Sequence, residues 1–167
     1  MRLSSWPPSR PARWPKHMLE AVVVALTTPV LVGIYKDGRR IEVLTSPLQS
    51  SEALPALFDD ILSRYQLGRI VYANGPGSFM AIKVAYIFLK TLSIVKEIPL
   101  QAADAFYFNG NRPVKAVGKL YFVKTSSTIK TEKFDAPVSA EFELPSCIDN
   151  NDFTDASLPF YGIGAVG

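Results

Sequence analysis

Arg69-Ile70-Val71-Tyr72-Ala73-Asn74-Gly75-Pro76-Gly77-Ser78-Phe79-Met80-Ala81-Ile82-Lys83 is the stretch from which the rest of the chain can be read. Residues 69–73 are apolar and β-prone, and a glycine turn follows. From Ser78 to about Lys96 the pattern is helical. A strand, a glycine turn and a helix start can aim backbone N–H groups at an anion. Gly75 and Gly77 permit positive φ or close backbone approach, Pro76 stiffens the turn, and Ser78 is placed to cap the helix. No Gly-Lys-Ser/Thr follows, which excludes a P-loop. The glycine loop Gly75, Pro76, Gly77 and Ser78 thus reads either as a structural cap, the commoner use of such turns, or as a phosphate cradle.

Outward from this stretch the elements alternate. Residues 19–26 form a β-branched apolar run, the pattern of a central strand buried on both faces. Residues 30–35 and 40–45 are two further strands joined by Lys36-Asp37-Gly38-Arg39, where Asp-Gly marks a tight hairpin. Ser50-Ser51-Glu52 suits a helix start. Leu54, Leu57, Phe58, Ile61, Leu62 and Tyr65 then recur at helical spacing over 52–65, which requires Pro55 to fall in the first turn. Beyond the long helix, residues 99–102 predict a short strand and Asp104 opens a helical stretch. Asn109-Gly110-Asn111-Arg112-Pro113 breaks the pattern. Residues 114–124 and 138–144 predict strands of a small second sheet, separated by a Lys- and Thr-rich segment, and Phe160-Tyr161 is the pair placed to return and pack. The order β-β-β-α-β-α-β gives an α/β class with a mixed sheet. The predicted units are a tail at 1–17, a first lobe at 18–110 and a reduced second lobe at 111–167.

The helix after the glycine loop is unusually greasy. Met80, Ile82, Val84, Ala85, Tyr86, Ile87, Phe88, Leu89, Leu92, Ile94 and Val95 wrap most of it, and Lys83, Lys90 and Glu97, seven apart, leave a narrow polar seam. A surface helix buries one stripe and solvates the rest. Two apolar faces imply either a central core helix or a second burying partner, and each large side chain left wet forgoes about 1.5–3 kcal/mol.

Charge and composition narrow the chemistry. The 167 residues carry 18 Lys and Arg against 15 Asp and Glu, a formal net charge of +3. Arg2, Arg10, Arg13 and Lys16 fall within the first 17 residues, which hold no acid, so the remainder has 14 basic against 15 acidic residues. Without a basic stripe, direct tight nucleic-acid binding is not expected. Met1–Lys16 is rich in Pro, Ser and Arg and reads as an extension, with Met18 a natural start. Cys147 is the only cysteine and His17 the only histidine, lying in that tail. The rest of the chain therefore cannot form a Ser-His-Asp triad, a His-paired thiol or a His-ligated zinc site. No catalytic residue, metal ligand or cofactor is assigned. No run approaches the ~20 apolar residues of a membrane span, and a cytoplasmic location is expected.

The turn after the first strand carries Thr27 and Thr28 where a Mg²⁺- and phosphate-binding fold places a carboxylate, which argues against ATP hydrolysis. Asp59-Asp60 reads as a solvated helix face. Asp104, Asp149, Asp152 and Asp155 show no ligand spacing.

Gly75-Pro76-Gly77-Ser78-Phe79, then Met80-Ala81-Ile82-Lys83-Val84 and, downstream, Ile98-Pro99-Leu100, resembles Gly-Pro-Gly-Ser-Phe-Thr-Gly-Leu-Arg and Ile-Pro-Leu, a signature of the TsaB (YeaZ) family. Ser51-Glu52 with Leu54 resembles that family's His-Ser-Glu helix start, and the likeness covers about residues 19–110. The resemblance implies half of an actin/Hsp70-like (ribonuclease H-like) fold. It also implies a non-catalytic role in making threonylcarbamoyladenosine in tRNA. The implied partner is a TsaD-like transferase, with a TsaE-like ATPase in the same system, and a homodimer would use the same surface. That surface carries over to Leu54, Leu57, Phe58, Ile61, Met80, Val84, Ile87, Phe88, Thr91, Leu92 and Val95. Departures from the family are Thr27-Thr28 in place of the strand-1 acid, Ser50 in place of the helix-start His, and a shorter second lobe. The alternatives are a degenerate nucleotide-binding or glycoprotease-like enzyme, and a self-associating structural domain.

Overall fold

A computed structural model describes residues 19–139 and 141–162; the N-terminal tail with His17 and Met18 lies outside the described residues. Five strands, β1 (Leu19–Val24), β2 (Val30–Lys36), β3 (Arg39–Ser46), β4 (Leu67–Ala73) and β5 (Leu100–Ala103), form one sheet in the order β3-β2-β1-β4-β5. β1 pairs antiparallel with β2 and β2 with β3, whereas β1–β4 and β4–β5 are parallel. Asp37 and Gly38 both take positive φ in the β2–β3 turn, as an Asp-Gly hairpin requires. Helix α1 (Ser50–Arg64) leads from β3 to β4, and α2 (Phe79–Lys96) from β4 to β5.

β1 is buried along its whole length, as its unbroken apolar run predicts. Its alternation feeds two cores. Ala21, Val23 and Ala25 face the layer of α1 and α2, where Leu54, Phe58, Ile61, Ala85 and Leu89 close over them. Val22, Val24 and Leu26 face the opposite side and pack with Tyr35, Ile82, Phe106, Phe108, Phe122 and Leu144. The second core crosses the expected boundary at residue 110, because residues of the small sheet sit directly on the five-stranded one.

Three corrections to the expected elements follow. First, α1 starts at Ser50 with Gln49 as N-cap and without a side-chain capping bond, so Pro55 falls in the second turn. The hydrogen bond that Pro55 removes belongs to the carbonyl of exposed Ser51, which water can satisfy. Buried Ser50 donates its hydroxyl to the Ala25 carbonyl at 3.4 Å, which draws the helix start inward. Second, the stretch opened by Asp104 is a single 3₁₀ turn, Ala105–Phe108, capped by the Asp104 side chain. Third, the small sheet consists of β6 (Val114–Lys115), β7 (Leu120–Thr125) and β8 (Thr128–Lys133) in the order β6-β7-β8. Its outer strand is thus the Lys- and Thr-rich segment itself. Residues 138–144 form no strand among the described positions; Glu143 N–H instead donates to the Phe108 carbonyl at 2.7 Å.

From Leu144 onward the chain runs as a belt around the main sheet. The carbonyls of Leu144 and Pro145 accept from Arg40 and from the Tyr35 hydroxyl, and Arg39 bridges to Cys147 beyond the outer edge of β3. Asn150 accepts from Arg69, and Thr154 exchanges two backbone bonds of 2.9 Å with Ala102 on β5. The chain end therefore closes part of both sheet edges.

Candidate functional site

The glycine loop lies where β4 ends and α2 begins. Ser78 takes an extended conformation and accepts from Ala81 N–H at 3.4 Å, so it is the N-cap expected of it. Gly75 has φ +116°, and a Cβ there would lie 2.0 Å from the Phe160 carbonyl oxygen. Only glycine fits so close a backbone approach. The loop's polar groups bind the chain itself. Asn74 N–H donates to Ala103, the Asn74 carbonyl accepts from Phe160 N–H at 2.8 Å, and the Gly75 carbonyl accepts from Ala105 N–H at 2.8 Å. The Asn74 side chain donates to the Leu158 carbonyl at 3.0 Å. Below them the Tyr72 hydroxyl donates to Ser157, and burial pushes that phenol's pKa upward. Tyr161 stacks on Phe79 with ring centroids 4.3 Å apart, so this member of the expected aromatic pair returns and packs, whereas the Phe160 ring is exposed and Phe160 contributes its backbone.

Beside the loop, a cavity of about 520 Å³ opens between the first turns of α1 and α2, lined by Leu26, Thr27, Thr28, Ser51, Ser78 and Met80 among others. It offers hydroxyls and no charged side chain. Among the described residues no group of three or more His, Cys, Asp or Glu could hold a metal, and Cys147 is exposed.

The residues expected at a partner surface divide into three groups. Leu54, Phe58 and Ile61 are enclosed in the chain's own core and have no surface to offer, which corrects their assignment. Their helical spacing was the spacing of the core stripe. Leu57, Val84, Phe88 and Leu92 are half-buried; Phe88 leans inward, 5.9 Å from the Phe58 ring centroid. Met80, Ile87, Thr91 and Val95 are exposed, the three apolar ones by 60%, 54% and 68%. With Val84 and Ile94, which is also exposed, they form one stripe along α2 at steps of three and four residues. Phe79 adds a further exposed ring at its loop end. Only Ile82, Ala85 and Leu89 of this helix are fully buried. The second apolar face inferred from the helix pattern is therefore real and is left uncovered by the described residues.

Sequence reading missed a buried charge pair. Glu20, hidden in the apolar run of β1, meets Arg69 at 2.6 Å, and Arg69 also donates to Gln101 and Asn150 and lies over the Phe153 ring. Both residues occur at strand starts, where a charge ordinarily reads as the strand's wet end. Their facing positions become visible only once β1 and β4 are known to be parallel neighbours.

No family model and no curated protein matches the sequence. The fold matches solved structures. One is YeaZ from Pseudomonas aeruginosa, with TM-score 0.55 and 14% identity over 71% of this chain and 66% of that one. Another is an uncharacterized protein with similarity to peptidase YeaZ from Pseudomonas aeruginosa, with TM-score 0.53 and 14% identity over 73% of this chain and 71% of that one. The chain thus spans slightly less than two thirds of the first of these proteins. The likeness to YeaZ expected from the glycine-loop motif is found at the level of the fold.

Proposed function

We propose that this chain is a non-catalytic, TsaB-like subunit that docks on a TsaD-like threonylcarbamoyl transferase through the outward face of α2 and so supports adenosine modification in tRNA. One observation carries the reading: the helix that follows the glycine loop leaves Met80, Ile87, Ile94 and Val95 exposed along one face, with half-buried Val84 among them. Several large side chains left wet on one helix represent a free energy that a partner surface would recover, at about 25 cal/mol per Å² buried. Sheet order and direction support reading the main sheet as one lobe of an actin/Hsp70-like fold, with both helices on one face. A second copy of the chain would compete for the same stripe. A cytoplasmic site of action belongs to this reading, as does a TsaE-like ATPase in the same system. No described helix is long and apolar enough to cross a membrane. The test is size-exclusion chromatography of the chain mixed at micromolar concentration with a cognate TsaD-like transferase. Co-elution lost in Ile87→Asp supports the assignment, and separate elution of the unmodified proteins overturns it.

A further inference from the structure

The last described residues converge on α2 from outside. Thr154 is fixed to β5 by its paired bonds with Ala102, and Asp155 accepts from the Gln101 side chain at 2.7 Å. Ser157 holds Tyr72, Leu158 and Phe160 clasp Asn74 from two sides, and the Phe160 carbonyl fills the space over Gly75. Tyr161 covers Phe79, the first residue of α2. Beyond it, Gly162 lies so close to Phe122 of β7 that a Cβ would meet that ring at 2.5 Å. Residues 154–161 therefore span from β5, across the glycine loop, to the small sheet, gripping α2 at its entry.

The first turn of α2 has little hold of its own. Its capping bond is long, at 3.4 Å, and no acidic side chain lies in the turn to oppose the helix dipole. Phe79 and Met80 are exposed and Ile82 is the first residue anchored in a core. Such an end frays unless something outside the helix holds it. The stacked Tyr161 and the filled Gly75 cradle provide that hold.

We propose that residues 154–161 form a latch that fixes the first turn of α2 and thereby the loop end of the docking stripe. The glycine loop is then a receptor for residues 154–161 of the same chain, and latch release would regulate docking by loosening Phe79, Met80 and Val84. This regulatory meaning rests on the docking reading above, whereas the latch itself has a readout that does not. Hydrogen exchange of the full chain would be compared among wild type, Tyr161→Ala, Tyr161→Phe and Gly75→Ala. Tyr161→Ala and Gly75→Ala break the latch at different contacts and are expected to speed exchange of amides 81–83, the first with acceptors in this helix, about tenfold. Amides of β1 and of α2 beyond Leu89 should stay protected. Tyr161→Phe keeps the stacked ring and should match wild type. Unchanged exchange at 81–83 in both disruptive variants overturns the latch. Sedimentation of the same proteins then reads the coupling, with several-fold weaker self-association expected for Tyr161→Ala. Equal association of Tyr161→Ala and wild type overturns the coupling. A wild type that stays monomeric counts against homodimerisation, and the exchange result still decides the latch.

Discussion

Glu20 on β1 and Arg69 on β4 are register partners on adjacent parallel strands, and their side chains meet at 2.6 Å, closed off from water. The guanidinium spends further donors on Gln101 at 2.7 Å and Asn150 at 2.9 Å. One residue thus ties β4 to β1, to β5 and to the belt.

Removing one member of such a pair leaves the other charge buried, which costs about 3–5 kcal/mol. Arg69→Met should lower unfolding stability by that order in urea titration. The double variant Glu20→Leu with Arg69→Met should recover most of the loss, because an apolar pair of similar volume needs no compensation. A loss below about 1 kcal/mol for Arg69→Met would show that the pair is solvated in the native state.

Ile87→Asp places a charge on the exposed stripe and touches no core. Thermal stability should stay within about 0.5 kcal/mol of wild type while association, read by light scattering, falls. Phe88→Asp is the contrasting change: its ring packs near Phe58, so the fold itself should weaken. Unchanged association for Ile87→Asp would move the docking face off α2.

Leu54→Ala separates core from surface on α1. Leu54 is fully enclosed, so its truncation leaves a cavity and should cost about 2–5 kcal/mol. Association of the variant, measured well below its melting temperature, should match wild type. A reversed pattern, stable but non-associating, would restore Leu54 to the interface.

Alkaline pH tests both cores, Tyr72 in the first and Tyr35 and Tyr107 in the second. Burial pushes the Tyr35 phenol up to about 12, and Tyr72 and Tyr107 are shifted upward chiefly by the same cause. An unfolded tyrosine releases its proton near pH ~10. The denatured chain therefore binds fewer protons than the native one above that pH. Stability is retained below about pH 10 and falls between about 10 and 12, by up to ~1.4 kcal/mol per pH unit for each such group. Tyr35→Phe should flatten its share of that slope. At neutral pH it should cost about 1 kcal/mol, through loss of the bond to the Pro145 carbonyl. An unchanged alkaline slope would show that Tyr35 titrates freely.

The elements up to Ala103 were legible because their signals are local. Asp37-Gly38 sets a hairpin, the run after Leu19 marks a strand covered on both sides, and Ser78 opens a helix. The uncovered face of α2 was legible too, since too many apolar side chains recur around one helix for a single stripe. α1 misled because core and surface stripes share one spacing, and burial of Leu54, Phe58 and Ile61 depends on the sheet beneath them. β8 escaped notice because Ile129 is its one apolar residue and its turn, with Ser126 at positive φ, lacks the usual Asn-Gly or Asp-Gly. The belt is held mainly by single long-range bonds from loop carbonyls, which leave no periodic trace in a sequence.

The belt also bears on how the molecule is made. Synthesis delivers the sheet first, with β3 and β5 as its outermost strands, and only later the segment whose Cys147 and Thr154 fasten the two margins. During that interval the Arg39–Arg40 end of β3 and Ala102 on β5 lack their later partners and can recruit foreign strands. The nascent polypeptide thus passes through a stage more prone to aggregate than the finished one, and a ribosome pausing just before Ser146 would prolong it.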